Sequence, residues 1–126
     1  MKQILVVDDE AGALALIGII LERGGFEVIR AQSAHQALTI LEREAPNLII
    51  LDIMMPAIDG IELCRVIRQM PRFAETPILM LSARSDSDSV IRSMEAGATS
   101  YLPKPVLHRD LIPKIRSMLD LSPIER

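Results

Sequence analysis

Aromatic residues are nearly missing from this chain: its 126 residues include one tyrosine, two phenylalanines and no tryptophan. A core must therefore be packed with branched aliphatic side chains and with some of the seven methionines. Cysteine is equally scarce. Cys64 stands alone, which excludes a disulfide framework and a thiolate metal site within the chain and fits a reducing, cytoplasmic setting; at helical spacing it reads as core packing. Of the two histidines, His35 and His108, neither sits in a ligand or nucleophile motif, and both read as solvated. Long apolar runs are missing too. The longest, around Leu14 to Leu21, is broken by Gly18 and is too short to span a bilayer. Met1-Lys2-Gln3 leads straight into a strand, with no signal segment, so no membrane partner is expected. Basic charge is not in excess: the net charge is −3, which argues against direct nucleic acid binding by this segment.

What remains is an ordinary globular composition, 49% hydrophobic and 25% charged, with enough chain for one domain and one sizeable core. Residues 1–121 read as that domain, and 122–126 as a tail or the start of a linker to an effector domain. Ile4-Leu5-Val6-Val7 and Leu48-Ile49-Ile50-Leu51 are unbroken branched runs, the pattern of strands buried on both faces. Glu27 to Ala31 is a more polar strand, expected nearer an edge. Pro77 to Leu81 and Ser100 to Leu102 complete five. Helical patterns alternate with them: Ala11 to Arg23 stopped by Gly24-Gly25, one opened by the Ser33/Gln36 capping box, Ile61 to Met70, Ser87 to Ala96, and His108 to Leu119. Asp59-Gly60 reads as a turn, Pro71 to Thr76 as a loop, and Pro113 inside the last helix predicts a kink or a late start. Strands alternating with helices give right-handed crossovers and a parallel sheet covered on both faces. The expected fold is α/β, a flavodoxin-like doubly wound (βα)5 sandwich with strand order 2-1-3-4-5.

That order places the carboxyl ends of the first and third strands side by side at the switch point, where open α/β sheets bind ligands. Both strands end on acids, Asp8 and Asp9 on one and Asp52 on the other. Carboxylates crowded together repel one another unless a cation intervenes. An oxygen-only donor set without His or Cys selects Mg²⁺. Lys104, ending the fifth strand, reaches the same rim with a positive charge, and Ser82, ending the fourth, brings a hydroxyl. A carboxylate nucleophile with a metal, an ammonium and a hydroxyl around it suits in-line phosphoryl transfer onto Asp52.

The segments Val7-Asp8-Asp9-Glu10, Leu51-Asp52-Ile53-Met54-Met55-Pro56, Asp59-Gly60, Leu81-Ser82-Ala83-Arg84, Glu95-Ala96-Gly97-Ala98 and Tyr101-Leu102-Pro103-Lys104-Pro105, in this order, resemble the receiver domain of two-component response regulators over nearly the whole chain. The resemblance implies that Asp52 accepts a phosphoryl group from the phosphohistidine of a sensor histidine kinase or phosphotransfer protein. Asp9 would ligate Mg²⁺ directly and Asp8 largely through water, joined by Asp52 and the Met54 carbonyl. Lys104 would pair with the phosphoryl oxygens, and its bond to Pro105 would be cis. Ser82 would then move toward the phosphoryl group and Tyr101 turn inward, changing the surface of the fourth helix, fifth strand and fifth helix, through which a homodimer could form. The protein would catalyse only its own phosphorylation and dephosphorylation. Met54 and Arg84 would hinder hydrolytic water and lengthen the phosphoryl lifetime.

Two features depart from the commonest pattern. Ser82 stands where Thr is usual. Thr99-Ser100 replaces the acid pair that feeds dimer salt bridges in receivers joined to winged-helix domains. The first helix is apolar around more of its circumference than a surface helix needs, with Leu14, Ala15, Gly18 and Ile19; the resemblance makes it a docking face for the kinase's helical bundle, with Leu14 the position to test. Two other functions fit parts of the pattern. An aspartyl-phosphate phosphohydrolase expects a second acid two residues after the nucleophile, where Met54 stands. A receiver-fold interaction module without phosphorylation leaves the acid, Ser and Lys set unused.

Overall fold

A computed structural model of the chain describes residues 1–83 and 86–121; Arg84 and the expected tail or linker at 122–126 lie outside them. Five parallel strands form one sheet, β1 (Gln3–Val7), β2 (Glu27–Ala31), β3 (Leu48–Asp52), β4 (Ile78–Ser82) and β5 (Ser100–Pro103). Their order is β2-β1-β3-β4-β5, as the alternation of elements predicts. The five helices are α1 (Ala11–Arg23), α2 (Ala34–Leu41), α3 (Gly60–Arg68), α4 (Ser87–Glu95) and α5 (His108–Met118).

The strand sequences account for the layering. Alternate residues of one strand point to opposite faces, so Leu5, Val7, Ile49 and Leu51 join α2 and α3 in one aliphatic cluster. Ile4, Val6, Leu48 and Ile50 join α1 and α5 in another, with Leu14, Ile17, Leu111 and Ile115. All five residues of β3 and of β4 are buried, and each such aliphatic side chain contributes about 1.5–3 kcal/mol. β2 lies at the edge, with Glu27 and Arg30 exposed. Cys64 is fully buried, and its Sγ–H points to the Ala96 carbonyl at 3.6 Å. Burial pushes its thiol up, so it packs and is no nucleophile. His35 and His108 are exposed.

Two local expectations need correction, and a third is narrowed to one of its alternatives. Asp59-Gly60 is no free-standing turn: Asp59 is the N-cap of α3, its Oδ1 accepting from Glu62 N at 2.9 Å, and Gly60 is the first helical residue. An Asp-Gly pair is a turn signal, but the same acid side chain can equally cap a helix. Pro71–Phe73 is a short 3₁₀ turn within the expected loop, with Phe73 buried beneath it. And α5 does not start late. It begins at His108, where Asp110 N and Leu111 N both donate to the Leu107 carbonyl at 2.9 Å, and it continues through Pro113. Arg109 and Pro113 are exposed, so water can serve the carbonyl that Pro113 leaves without an amide.

Candidate functional site

The parallel register brings four strand ends to one rim. Val7 pairs with Leu51, Asp52 with Leu81 and Ser82 with Pro103. The ladder runs on past the strands: Asp8 N donates to the Ala31 carbonyl at 3.1 Å and Lys104 N to the Ser82 carbonyl at 2.8 Å. Asp8, Asp52, Ser82 and Lys104 therefore come together through backbone pairing alone.

Lys104 holds the acids in the described state. Its Nζ lies 2.8 Å from Asp8 Oδ2 and 3.2 Å from Asp52 Oδ1. Asp8 and Asp52 are buried, while Asp9 is exposed at the mouth. One carboxylate oxygen from each of Asp8, Asp9 and Asp52 lies within 4.8 Å of the others. Burial pushes the Asp52 carboxyl up, and the Asp8 charge pushes it the same way; the Lys104 ammonium, and more weakly its hydrogen bond, oppose this without reversing it. At Lys104 burial works against the ammonium, yet the hydrogen bond to Asp8 and the Asp52 charge outweigh it and hold it above its ordinary range. A partly buried acid cluster that one ammonium does not neutralise, built only from hard oxygen donors, fits a divalent cation of the Mg²⁺ kind.

The third acid of the Asp8-Asp9-Glu10 run has a different duty. Glu10 is the N-cap of α1, its Oε1 accepting from Ala13 N at 2.7 Å. It holds the helix start that follows Asp9. Asp8 accepts from Glu10 N with its other oxygen, at 3.0 Å. The acid run thus divides between site and cap, a division the spacing could not show.

Ser82 is fully buried at the end of β4, and Tyr101 is half-buried on β5, packed against the core cluster of α2 and α3. Met54 follows the Asp52 strand with its side chain 53% exposed. The Lys104–Pro105 bond is cis. Arg84, the other residue assigned to water exclusion, lies outside the described residues. On α1 the apolar surplus divides differently than the sequence suggests. Leu14 and Gly18 are buried, whereas Leu16 is 57% and Ile19 46% exposed. Leu14 is therefore a core residue, and the open face passes to Leu16. Beside it an apolar groove of about 340 Å³, lined by Ala13, Leu16, Ile17, Ala83, Pro105 and Val106, opens next to Lys104.

Comparison with known proteins places the chain in a family. Residues 4–116 match the model of the response regulator receiver domain. The chain is 41% identical over 123 residues to the alkaline phosphatase synthesis transcriptional regulatory protein PhoP of Bacillus subtilis, covering 98% of this chain and 50% of that protein. It is 37% identical over 118 residues to the phosphate regulon transcriptional regulatory protein PhoB of Pseudomonas aeruginosa, covering 94% of this chain and 52% of that one. The chain thus spans about half the length of these relatives. Among solved structures, a putative response regulator from Chloroflexus aurantiacus superposes with a TM-score of 0.90 at 36% identity, over 94% of this chain and 98% of that one. Chemotaxis protein CheY4 of Vibrio cholerae gives 0.90 at 28% identity, over the same shares. The chain belongs to the receiver domains of two-component response regulators, the phosphorylation-dependent signalling switches.

Proposed function

We propose that Asp52 is the phosphoryl acceptor of this receiver domain and that Asp8, Asp9 and the Met54 carbonyl complete, with Asp52, a site for Mg²⁺. The observation that carries the reading is Lys104 Nζ, within 3.2 Å of both Asp8 and Asp52. An ammonium so placed meets the equatorial oxygens of a phosphoryl group arriving at Asp52. A carboxylate oxygen of Asp52 forms the new O–P bond as the N–P bond of a phosphohistidine breaks. The electron pair departs with the imidazole nitrogen. Bound Mg²⁺ supplies charge neutralisation at the phosphoryl oxygens. Both oxygens of Asp8 already accept hydrogen bonds, from Glu10 N and Lys104 Nζ, which favours contact with the metal through water; exposed Asp9 is the better direct ligand. Ser82 ends the strand beside Asp52 and reports the new group by moving toward it, with Tyr101 following inward. That shift alters the surface of α4, β5 and α5, through which a homodimer would assemble. Residues 1–121 act as the switch.

Acetyl phosphate with Mg²⁺ tests this. Intact-mass analysis is expected to show a single phosphoryl adduct on the parent and none on Asp52→Asn. Continuous turnover of acetyl phosphate would make the protein a phosphohydrolase, and absence of any adduct would make it an interaction module. Met54, exposed two residues after the nucleophile, would hinder hydrolytic water. Met54→Asn is expected to shorten the phosphoryl lifetime several-fold, read as adduct decay after donor removal; an unchanged decay removes Met54 from that role.

A further inference from the structure

The loop that leaves Asp52 is pinned at its neck by backbone alone. The Ile53 carbonyl accepts from two amides, Met55 N at 3.1 Å and Gly60 N at 2.9 Å. The chain therefore departs β3, runs through 54–59, and returns to the residue next to Asp52. Gly60 is buried there, against the strand end. A Cβ added to it would strike the Asp52 carbonyl oxygen and lie 2.8 Å from the Asp52 carbonyl carbon and 2.9 Å from the Ile53 Cα. These are backbone atoms, so no side chain can swing aside. An ordinary C···O contact is about 3.3–3.6 Å, and a methyl group would have to move the strand end or the helix by about an ångström. Backbone conformation does not demand glycine at this position: the glycines with positive φ are Gly25 and Gly97. Space demands it. Inside the loop, Ala57 sits at φ 65, a left-handed conformation that an alanine does not choose for itself. The loop shape is imposed from its ends.

We infer that Gly60 is a positioning residue for the chemistry at Asp52. Its bare Cα lets α3 abut the end of β3, and that contact fixes the Asp52 backbone and the Met54 carbonyl relative to Asp8 and Asp9. The inference rests on the phosphoryl-transfer reading above. A displacement near 1 Å at a reacting group costs roughly a hundredfold in rate, so the methyl of Gly60→Ala is felt in the chemistry as well as in stability. Ile67, fully buried in the same helix, supplies the controls, Ile67→Val and Ile67→Ala.

Phosphorylation by acetyl phosphate is measured across donor concentrations, well below every melting temperature. Mn²⁺ binding is measured separately by the electron paramagnetic resonance of the free ion. Gly60→Ala is expected to keep a native circular dichroism spectrum, lose about ten- to a hundredfold in maximal phosphorylation rate, and bind Mn²⁺ several-fold more weakly. Ile67 variants with equal or greater loss of melting temperature are expected to keep both within about twofold of the parent. Rate and Mn²⁺ affinity in Gly60→Ala that track the Ile67 controls would overturn the inference. Should Gly60→Ala not fold alone, the comparison is made with trimethylamine N-oxide in a Ser93→Ala background, which removes a buried unpaired hydroxyl on another helix. Continued unfolding there overturns the inference too, since Gly60 would then serve stability alone. A parent that takes no phosphoryl group refutes the phosphoryl-transfer reading instead, and the Mn²⁺ comparison still stands.

Discussion

Asp52 sits where a carboxylate is costly to ionise, behind a buried strand end and beside Asp8, with Lys104 as its partial remedy. Its pKa in the fold stands above the ordinary 3.8. Below 3.8 the carboxyl is protonated in folded and unfolded chains alike, and folding bears no cost from it. As pH rises through the raised value the buried carboxylate ionises and stability is lost. Asp52→Asn, measured in EDTA, is therefore expected to melt several degrees above the parent at neutral pH, with the gap closing as pH falls toward 3.8. Thermal melts across that range check it; a gap that is constant, or of the opposite sign, would mean that Lys104 over-compensates the burial. Lys104 is raised as well, from 10.5. Its stabilisation is fully present below 10.5 and fades only as pH passes its higher folded value.

At the scale of elements, α4 is built inside out. Ser89 and Ser93 face the core while Ile91 and Met94 are 55% and 45% exposed. Asp86 caps its start twice over, accepting from Ser89 N and from the Ser89 hydroxyl, both at 3.1 Å. The Ser93 hydroxyl is buried without a partner. The end of α4 is held from outside by Arg68 of α3, which donates to the carbonyls of Gly97 (2.8 Å), Phe73 (2.8 Å) and Thr76 (2.6 Å) and to Thr99 Oγ1 (3.3 Å). Thr99 Oγ1 also accepts from Ile78 N at 3.0 Å. Thr99 is thus committed to an intramolecular network. Arg68→Ala is expected to cost about 2–4 kcal/mol with phosphorylation by acetyl phosphate unchanged, whereas Ser93→Ala is expected to gain about 1 kcal/mol. Urea unfolding of both variants checks the pair. A stabilised Arg68→Ala, or a destabilised Ser93→Ala, would show that these contacts do not carry the weight assigned to them.

Across the whole molecule, the acid cluster and an exposed apolar groove share one end. Leu16 on α1 lines the same groove as Ala83, Lys104, Pro105 and Val106, so a partner presenting phosphohistidine to Asp52 would cover apolar surface beside it. Receiver domains imply histidine kinase partners. Leu16→Glu is expected to slow phosphotransfer from the cognate kinase tenfold or more while leaving acetyl phosphate reactivity intact, because the small donor needs no docking. Equal effects on both donors would place Leu16 in the fold and not in recognition. Among the described residues no helix is long and apolar enough to cross a membrane.

The sequence alone determined the architecture, because doubly buried strands write themselves as unbroken branched runs and crossover helices as 3.6-residue periods. Strand ends follow from strands, so Asp8, Asp52, Ser82 and Lys104 could be assigned to one rim before any distance was known. Tertiary structure decided what depends on contacts between distant residues. It made Glu10 and Asp59 caps, turned Leu14 inward and Leu16 outward, and gave Arg68 four acceptors spread from Phe73 to Thr99. It also gave Gly60 its meaning. Sequence shows a glycine after an aspartate, which any turn could explain; only the packed helix shows that the missing methyl group is the space occupied by the Asp52 carbonyl.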